Sequence, residues 1–135
     1  MTVLGIDYGE KRIGISVSDP NQLISLPQEP IFSRGIKNDS LTISKMVEDK
    51  NIDLIVLGLP LTLSGNHGFQ AKFISKFEAE LKKQTSKPII KFDERLTTKQ
   101  AKNEVRDSKK ATSKIDSIAA SIMLQTFLDS RRTGI

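Results

Sequence analysis

Three acids stand where carboxylates do chemistry. Asp7 closes a short β-branched run, Glu94 sits just past Phe92 at the end of the last such run, and Asp116 falls in the first turn of the final predicted helix. In an open α/β sheet the functional crevice lies outside the carboxyl ends of the parallel strands, where acids from separate strand ends converge. Three carboxylates with no soft ligand beside them suit hard cations such as Mg2+ or Mn2+. Two such ions clamp the attacking and leaving oxygens of a phosphodiester displacement. The rest of the composition narrows the choice further. The chain has no cysteine and one histidine, His67. That excludes disulfides, thiolate zinc sites and His-rich centres, and makes a Ser-His-Asp triad a poor fit.

Each acid also has a purely structural reading. Asp7, followed by Tyr8-Gly9, fits an Asx-turn at a hairpin bend. Asp93 and Glu94 read equally well as loop acids or as partners of Arg95, and Ser113-Lys-Ile-Asp116 fits a capping box. Only the joint placement of the three favours chemistry.

The cations point the same way. Net charge is +5, and between Lys82 and Lys114 eleven Lys/Arg face four Asp/Glu, so the remainder of the chain is slightly acidic. A basic segment of this kind suits a polyanion, because each neutralised phosphate releases counterions; a lysine-rich solvated surface is the plainer alternative. Lys99, Lys102, Lys109, Lys110 and Lys114 form the candidate track, while Lys11, Arg12 and Arg95 lie next to Asp7 and Glu94 in sequence. Aromatic residues make up 5% of the chain, so backbone shape is expected to outweigh base stacking in recognition. The Ser64-Gly-Asn-His-Gly68 turn precedes a predicted helix whose free N–H groups suit an anion, with Asn66 as a simple N-cap in the alternative reading. No Walker A run, Gly-x-Gly-x-x-Gly or His-Glu-x-x-His is present.

These residues need elements to hold them. Val3–Ile6 and Ile13–Ser18 read as a hairpin joined through Gly9 and Gly14. Leu23–Phe32 holds Pro27 and Pro30, so any strand there belongs at an edge. Asp39 or Ser40 is expected to cap a helix whose apolar face is Ile43, Met46 and Val47. The run Asp53–Leu59 is nearly all apolar, as in a central parallel strand covered on both sides. Phe69, Phe73, Phe77 and Leu81 recur every four residues, one stripe of an amphipathic helix. Pro88–Phe92 is a further strand, and Thr97 or Thr98 opens a helix towards Arg106. The last helix starts at Ser113, with Ile115, Ile118, Ala119, Ile122 and Phe127 or Leu128 on its face. The resulting order, β-β-β-α-β-α-β-α-α, points to an α/β mixed sheet.

At 135 residues and 15.0 kDa, residues 1–135 are expected to form one domain. No apolar run approaches the roughly 20 residues that span a bilayer, and the N-terminus lacks a basic n-region, so no membrane partner and a cytoplasmic location are expected.

Four stretches carry a family resemblance: Gly5-Ile-Asp7-Tyr-Gly9-Glu-Lys-Arg12-Ile-Gly14-Ile-Ser-Val-Ser-Asp19, Val56-Leu-Gly58-Leu-Pro60-Leu, Asp93-Glu94-Arg95-Leu-Thr97-Thr98, and Asp116-Ser-Ile-Ala119-Ala120-Ser-Ile-Met-Leu124-Gln125. In this order, over nearly the whole chain, they resemble the YqgF-type family of Holliday junction resolvase-like and pre-16S rRNA nuclease proteins. The resemblance implies a ribonuclease-H-like α/β fold: a five-stranded mixed sheet, first three strands antiparallel, flanked by helices. It also implies metal-dependent phosphodiester cleavage in maturing the 5′ end of 16S ribosomal RNA. The family's acids fall on Asp7, Glu94 and Asp116. One departure is Thr62-Leu-Ser64-Gly65, where relatives often carry Asn-Met-Asp-Gly, so any acid contributed by that turn is missing here.

The leading expectation is a nuclease with Asp7, Glu94 and Asp116 as catalytic and metal-holding residues around two Mg2+ or Mn2+ ions. Structured RNA is the favoured partner, with branched DNA and pre-ribosomal particles as further ones; the chain acts as a monomer or homodimer. A non-catalytic RNA- or ribosome-binding module is the main alternative. An actin- or Hsp70-like ATPase, suggested by Asp7-x-Gly9 and Gly14, needs a second lobe and a longer chain.

Overall fold

The computed structural model describes residues 1–9, 11–59, 69–93 and 115–133, with the backbone alone for Phe69, Gln70, Ala71, Asp93, Ile115, Asp116 and Thr133. Strands β1 (Thr2–Tyr8) and β2 (Arg12–Ser18) form the expected hairpin, with Leu4 opposite Val17 and Asp7 opposite Gly14. The Gly9 N–H closes the turn on the Arg12 carbonyl at 3.1 Å. A Cβ at Gly9 would run into that same carbonyl oxygen, which is why the tight turn takes glycine.

The proline-containing stretch gives two short strands, β3 (Ser25–Pro27) and β4 (Ile31–Phe32), both antiparallel to β2 along its outer side. Proline cannot donate to a ladder, which breaks the segment in two and confines it to the edge. The side-chain amide of Gln28 donates to the carbonyls of Leu26 and Pro27, 3.3 and 3.2 Å away. At the approach to β3, the Asp19 carboxylate accepts the N–H groups of Ile24, Leu23 and Asn21, which holds its pKa below the ordinary carboxylate value.

Helix α1 (Ile36–Asp49) leads into β5 (Ile52–Leu59), helix α2 (Phe69–Gln84) and β6 (Ile89–Asp93). Strands β5 and β6 run parallel to β1 and complete the order β3-β2-β1-β5-β6, with β4 also on β2. Helix α3 (Ile115–Thr133) ends the described chain. The helix expected from Thr97 or Thr98 lies outside the described residues.

The sheet separates two apolar layers, and strand alternation sorts the side chains between them. On one side Leu4, Ile6, Tyr8, Ile13, Ile15, Ile55 and Leu57 pack with Ile43 and Val47 of α1 and Ile74, Phe77 and Leu81 of α2. On the other, Val3, Leu54 and Val56 meet Met123, Leu124, Phe127 and Leu128 of α3. The continuous apolar run of β5 is thus covered on both faces, as expected of a central parallel strand.

Two expectations need correction. Helix α1 begins at Ile36 behind Gly35 (φ 98°), without a side-chain cap, so neither Asp39 nor Ser40 caps it. Both are buried inside the helix, and the Asp39 carboxylate instead gathers donors from three other residues. In α3 the buried stripe is Ser117, Ala120, Met123, Leu124, Phe127 and Leu128, whereas Ile118, Ala119 and Ile122 are half-buried. Close approach is the cause. A Cβ at Gly5 would collide with Ser16 Oγ and lie 3.0 Å from Leu124 Cβ, and hydrogen bonds from the Ile15 N–H to Ser117 Oγ and from Ser16 Oγ to the Ala120 carbonyl turn Ser117 and Ala120 inward.

Candidate active site

Asp7 is the next-to-last residue of β1. Its neighbours Ile6 and Tyr8 are buried under α1 and α2, so alternation sends the half-buried Asp7 side chain to the α3 face. Gly14 lies directly opposite in the hairpin and puts no side chain beside the carboxylate. The parallel registers (Ile6 with Leu57, Leu59 with Asp93) bring the carboxyl ends of β1, β5 and β6 to one edge of the sheet.

Helix α3 begins at that same end. Ser117 Oγ accepts the Ile15 N–H at 3.1 Å, and Ser16 Oγ donates to the Ala120 carbonyl at 2.9 Å. Further along, Gln125 Oε1 accepts the Ser25 N–H at 2.9 Å. The helix therefore runs from the Asp7 end of the hairpin towards its far end, and Asp116 precedes Ser117 in its first turn. At the other flank Phe92 of β6 meets Phe127 edge-on, ring centres 5.7 Å apart.

Behind Asp7 the opposite face is fixed by a buried polar cluster. The Tyr8 hydroxyl donates to Asp39 Oδ2 at 3.0 Å, Ser33 Oγ donates to the same oxygen at 2.6 Å, and the Arg34 N–H reaches Oδ1 at 2.8 Å. The Tyr8 ring stacks on Phe77, centroids 4.2 Å apart. Burial first, then the Asp39 carboxylate, push the Tyr8 pKa up to about 12. Sequence reasoning missed this cluster, because Asp39 is 31 residues from Tyr8 and carries no local signal beyond its hydrophilic character. The intimate seat of α3 had one sequence signal, a glycine inside a strand.

The described structure thus brings the Asp7 carboxylate and the first turn of α3 to one end and one face of the sheet. Lys11 and Arg12 are exposed at the hairpin turn. Asp116 is described by its backbone alone. Glu94, Arg95, Lys99, Lys102, Lys109, Lys110, Lys114, Asn66 and His67 lie outside the described residues. Among the described residues no group of three or more His, Cys, Asp or Glu is placed to hold a metal ion, and no helix is long and apolar enough to cross a membrane.

Comparison with known proteins extends this geometry. The model of the family described as "RuvX: Holliday junction resolvase" matches residues 1–130. Among curated proteins, one from Chloroflexus aggregans named "Putative pre-16S rRNA nuclease" is 38% identical, the match covering 97% of this chain and 95% of its own. A Synechocystis protein of the same name is 37% identical, covering 100% of this chain and 91% of its own. Among solved structures, Thermus thermophilus RuvC in complex with a Holliday junction substrate superposes with a TM-score of 0.68 at 16% identity, over 99% of this chain and 97% of that one. The fowlpox virus resolvase, solved with Holliday junction DNA, gives 0.61 at 16% identity, over 97% and 99%. At such identities the likeness is one of fold, the ribonuclease-H-like fold of these resolvases.

Proposed function

Because the chain belongs to the family described as RuvX, Holliday junction resolvase, we propose that it is a nuclease that hydrolyses phosphodiester bonds with the help of divalent cations, and that its substrate is the precursor of 16S ribosomal RNA, trimmed at the 5′ end. The observation that carries this reading is the position of Asp7. A strand-end carboxylate stands on the face and at the end of the sheet where α3 begins with Asp116 in its first turn.

The donor set fits hard cations. Asp7, Glu94 and Asp116 offer only carboxylate oxygens, and the chain has no thiol and one imidazole to compete. Two Mg2+ or Mn2+ ions, when bound, neutralise the phosphate and lower the pKa of the attacking water. The chain's own residues do the rest. Asp7 sits between two buried neighbours, so its carboxylate is presented on a stiff strand end rather than a loop. Lys11, Arg12 and Arg95 take phosphate oxygens near the scissile bond. Lys99, Lys102, Lys109, Lys110 and Lys114 carry the flanking strand as a basic track.

The test is cleavage of a pre-16S RNA fragment by wild-type and Asp7→Asn protein, with and without a chelator. Cleavage is expected to need the divalent ion and to vanish in Asp7→Asn, with the unfolding transition retained. Undiminished cleavage by purified Asp7→Asn protein overturns the assignment. A four-way DNA junction in the same assay separates the RNA reading from a junction resolvase, which needs two sites in a symmetric dimer.

A further inference from the structure

Phe32 is the most exposed of the large apolar side chains described, at 69%. Its position is more telling than its exposure. Ile31, its neighbour in β4, packs with Ile13 in the layer under α1 and α2, so alternation turns Phe32 to the opposite face, the one that carries Asp7. Phe32 pairs directly with Arg12, and Arg12 stands two residues along β2 from Gly14, the partner of Asp7. Two strand spacings across and two residues along put Phe32 about 12 Å from Asp7, close enough for one strand of nucleic acid to be held at both points.

The surroundings are cationic. Arg12 is its cross-strand partner, Lys11, Arg34 and Lys37 are exposed within five residues of Phe32 or Arg12 in sequence, and the segment 31–38 contains no acid, the nearest exposed one before it being Glu29. The platform is also held in place. The Ser33 N–H donates to the Lys11 carbonyl at 2.9 Å, and Ser33 Oγ and the Arg34 N–H both end on the buried Asp39 carboxylate. Asp39 is the acceptor of the Tyr8 hydroxyl, so the residues following Phe32 and the residue following Asp7 are tied to one group.

We propose that Phe32 is a stacking platform for an unpaired base of the substrate, with Arg12 and Arg34 on the adjoining phosphates, so that the nuclease engages a strand unpaired within a few nucleotides of the bond at Asp7. This rests on the nuclease reading above and narrows its substrate to unpaired segments. An aromatic face flanked by cations is the arrangement that holds single strands without reading their sequence.

The experiment uses binding rather than cleavage. Affinity for a single-stranded oligouridylate and for a blunt RNA duplex is measured in the presence of a chelator, for wild type, Phe32→Ala and Phe32→Trp, after thermal melts establish that each is folded. Phe32→Ala is expected to weaken single-strand binding roughly 5- to 100-fold and to leave duplex binding nearly unchanged. Phe32→Trp is expected to keep the affinity. It also supplies the chain's only tryptophan, whose emission should be quenched by the oligouridylate and not by an abasic strand of equal length.

Unchanged single-strand affinity in Phe32→Ala, equal losses for strand and duplex, or an unquenched Phe32→Trp each overturn the proposal. So does a wild-type dimer that Phe32→Ala dissociates, because a second copy would then occupy the ring. If these outcomes appear while Asp7→Asn still abolishes cleavage, the platform falls and the nuclease stands. Intact stacking in a wild-type protein that cuts no RNA has the reverse meaning: binding at Phe32 stands and the nuclease falls.

Discussion

The Tyr8 hydroxyl rests 3.0 Å from a carboxylate oxygen of the buried Asp39, one residue along the strand from Asp7. Ionising that phenol sets two negative charges against each other, in addition to the cost of burying one. Tyr8 therefore keeps its proton up to about pH 12, whereas the unfolded chain releases it near 10. The folded form binds the proton more tightly, so the stabilisation is complete below pH 10 and is lost as pH rises through 12. Tyr8 is the only tyrosine and there is no tryptophan, so the ultraviolet absorbance of phenolate reads this group alone. The titration should move down towards 10 on denaturation, and stability between pH 10 and 12 should fall less steeply in Tyr8→Phe.

Removing the acceptor should cost more than removing the donor. Asp39→Ala leaves the Tyr8 hydroxyl, Ser33 Oγ and the Arg34 N–H without their acceptor, a loss of about 2–4 kcal/mol. Asp39→Asn keeps one oxygen and should lose less. Denaturant midpoints of the two variants compare them directly, and equal values would show that the carboxylate is not what holds the cluster.

These two predictions mark where the sequence was and was not legible. The hairpin, the doubly covered β5 and the aromatic stripe of α2 could be read because each is a short-range pattern: β-branched runs around glycines, an unbroken apolar run, and Phe73, Phe77 and Leu81 four apart. The start of α1 and the inward face of α3 could not. Asp39 has the type of a helix cap but is drawn inward by partners in β1 and the β4–α1 connection. Ile118 and Ile122 have the hydropathy of core residues, yet the backbone approach at Gly5 and Ser16 selects Ser117 and Ala120. Of the proposed catalytic trio, the place of Asp7 at the strand end and of Asp116 in the first turn of α3 followed from pattern alone. That both belong to one end of one face is a property of sheet order and helix direction, which no local pattern contains.

Gly5→Ala tests that close approach. The added methyl meets Ser16 Oγ and Leu124 Cβ, and the helix must lift or the hairpin bend, at about 1–3 kcal/mol. Because α3 carries Asp116, cleavage should fall further than the change in folded population accounts for. Loss of activity in strict proportion to folded protein would show that α3 keeps its seat.

The basic segment makes a prediction in salt. Neutralising Lys99, Lys102, Lys109, Lys110 and Lys114 to glutamine should flatten the slope of log affinity against log salt by about 0.7–0.9 for each phosphate that is no longer neutralised. An unchanged slope would mean that those lysines are solvated and that phosphates are held elsewhere.

The amide of Gln28 lies over the carbonyls of Leu26 and Pro27, and neither Pro27 nor Pro30 has an N–H to offer. Leu23, Ile24 and Leu26 are exposed beside this margin, a composition that would ordinarily invite fibril growth. A neighbouring molecule approaching there finds oily side chains without a free row of backbone groups to template on. The margin at β3 therefore offers a neighbouring copy side chains to touch but few backbone groups from which the sheet could be extended.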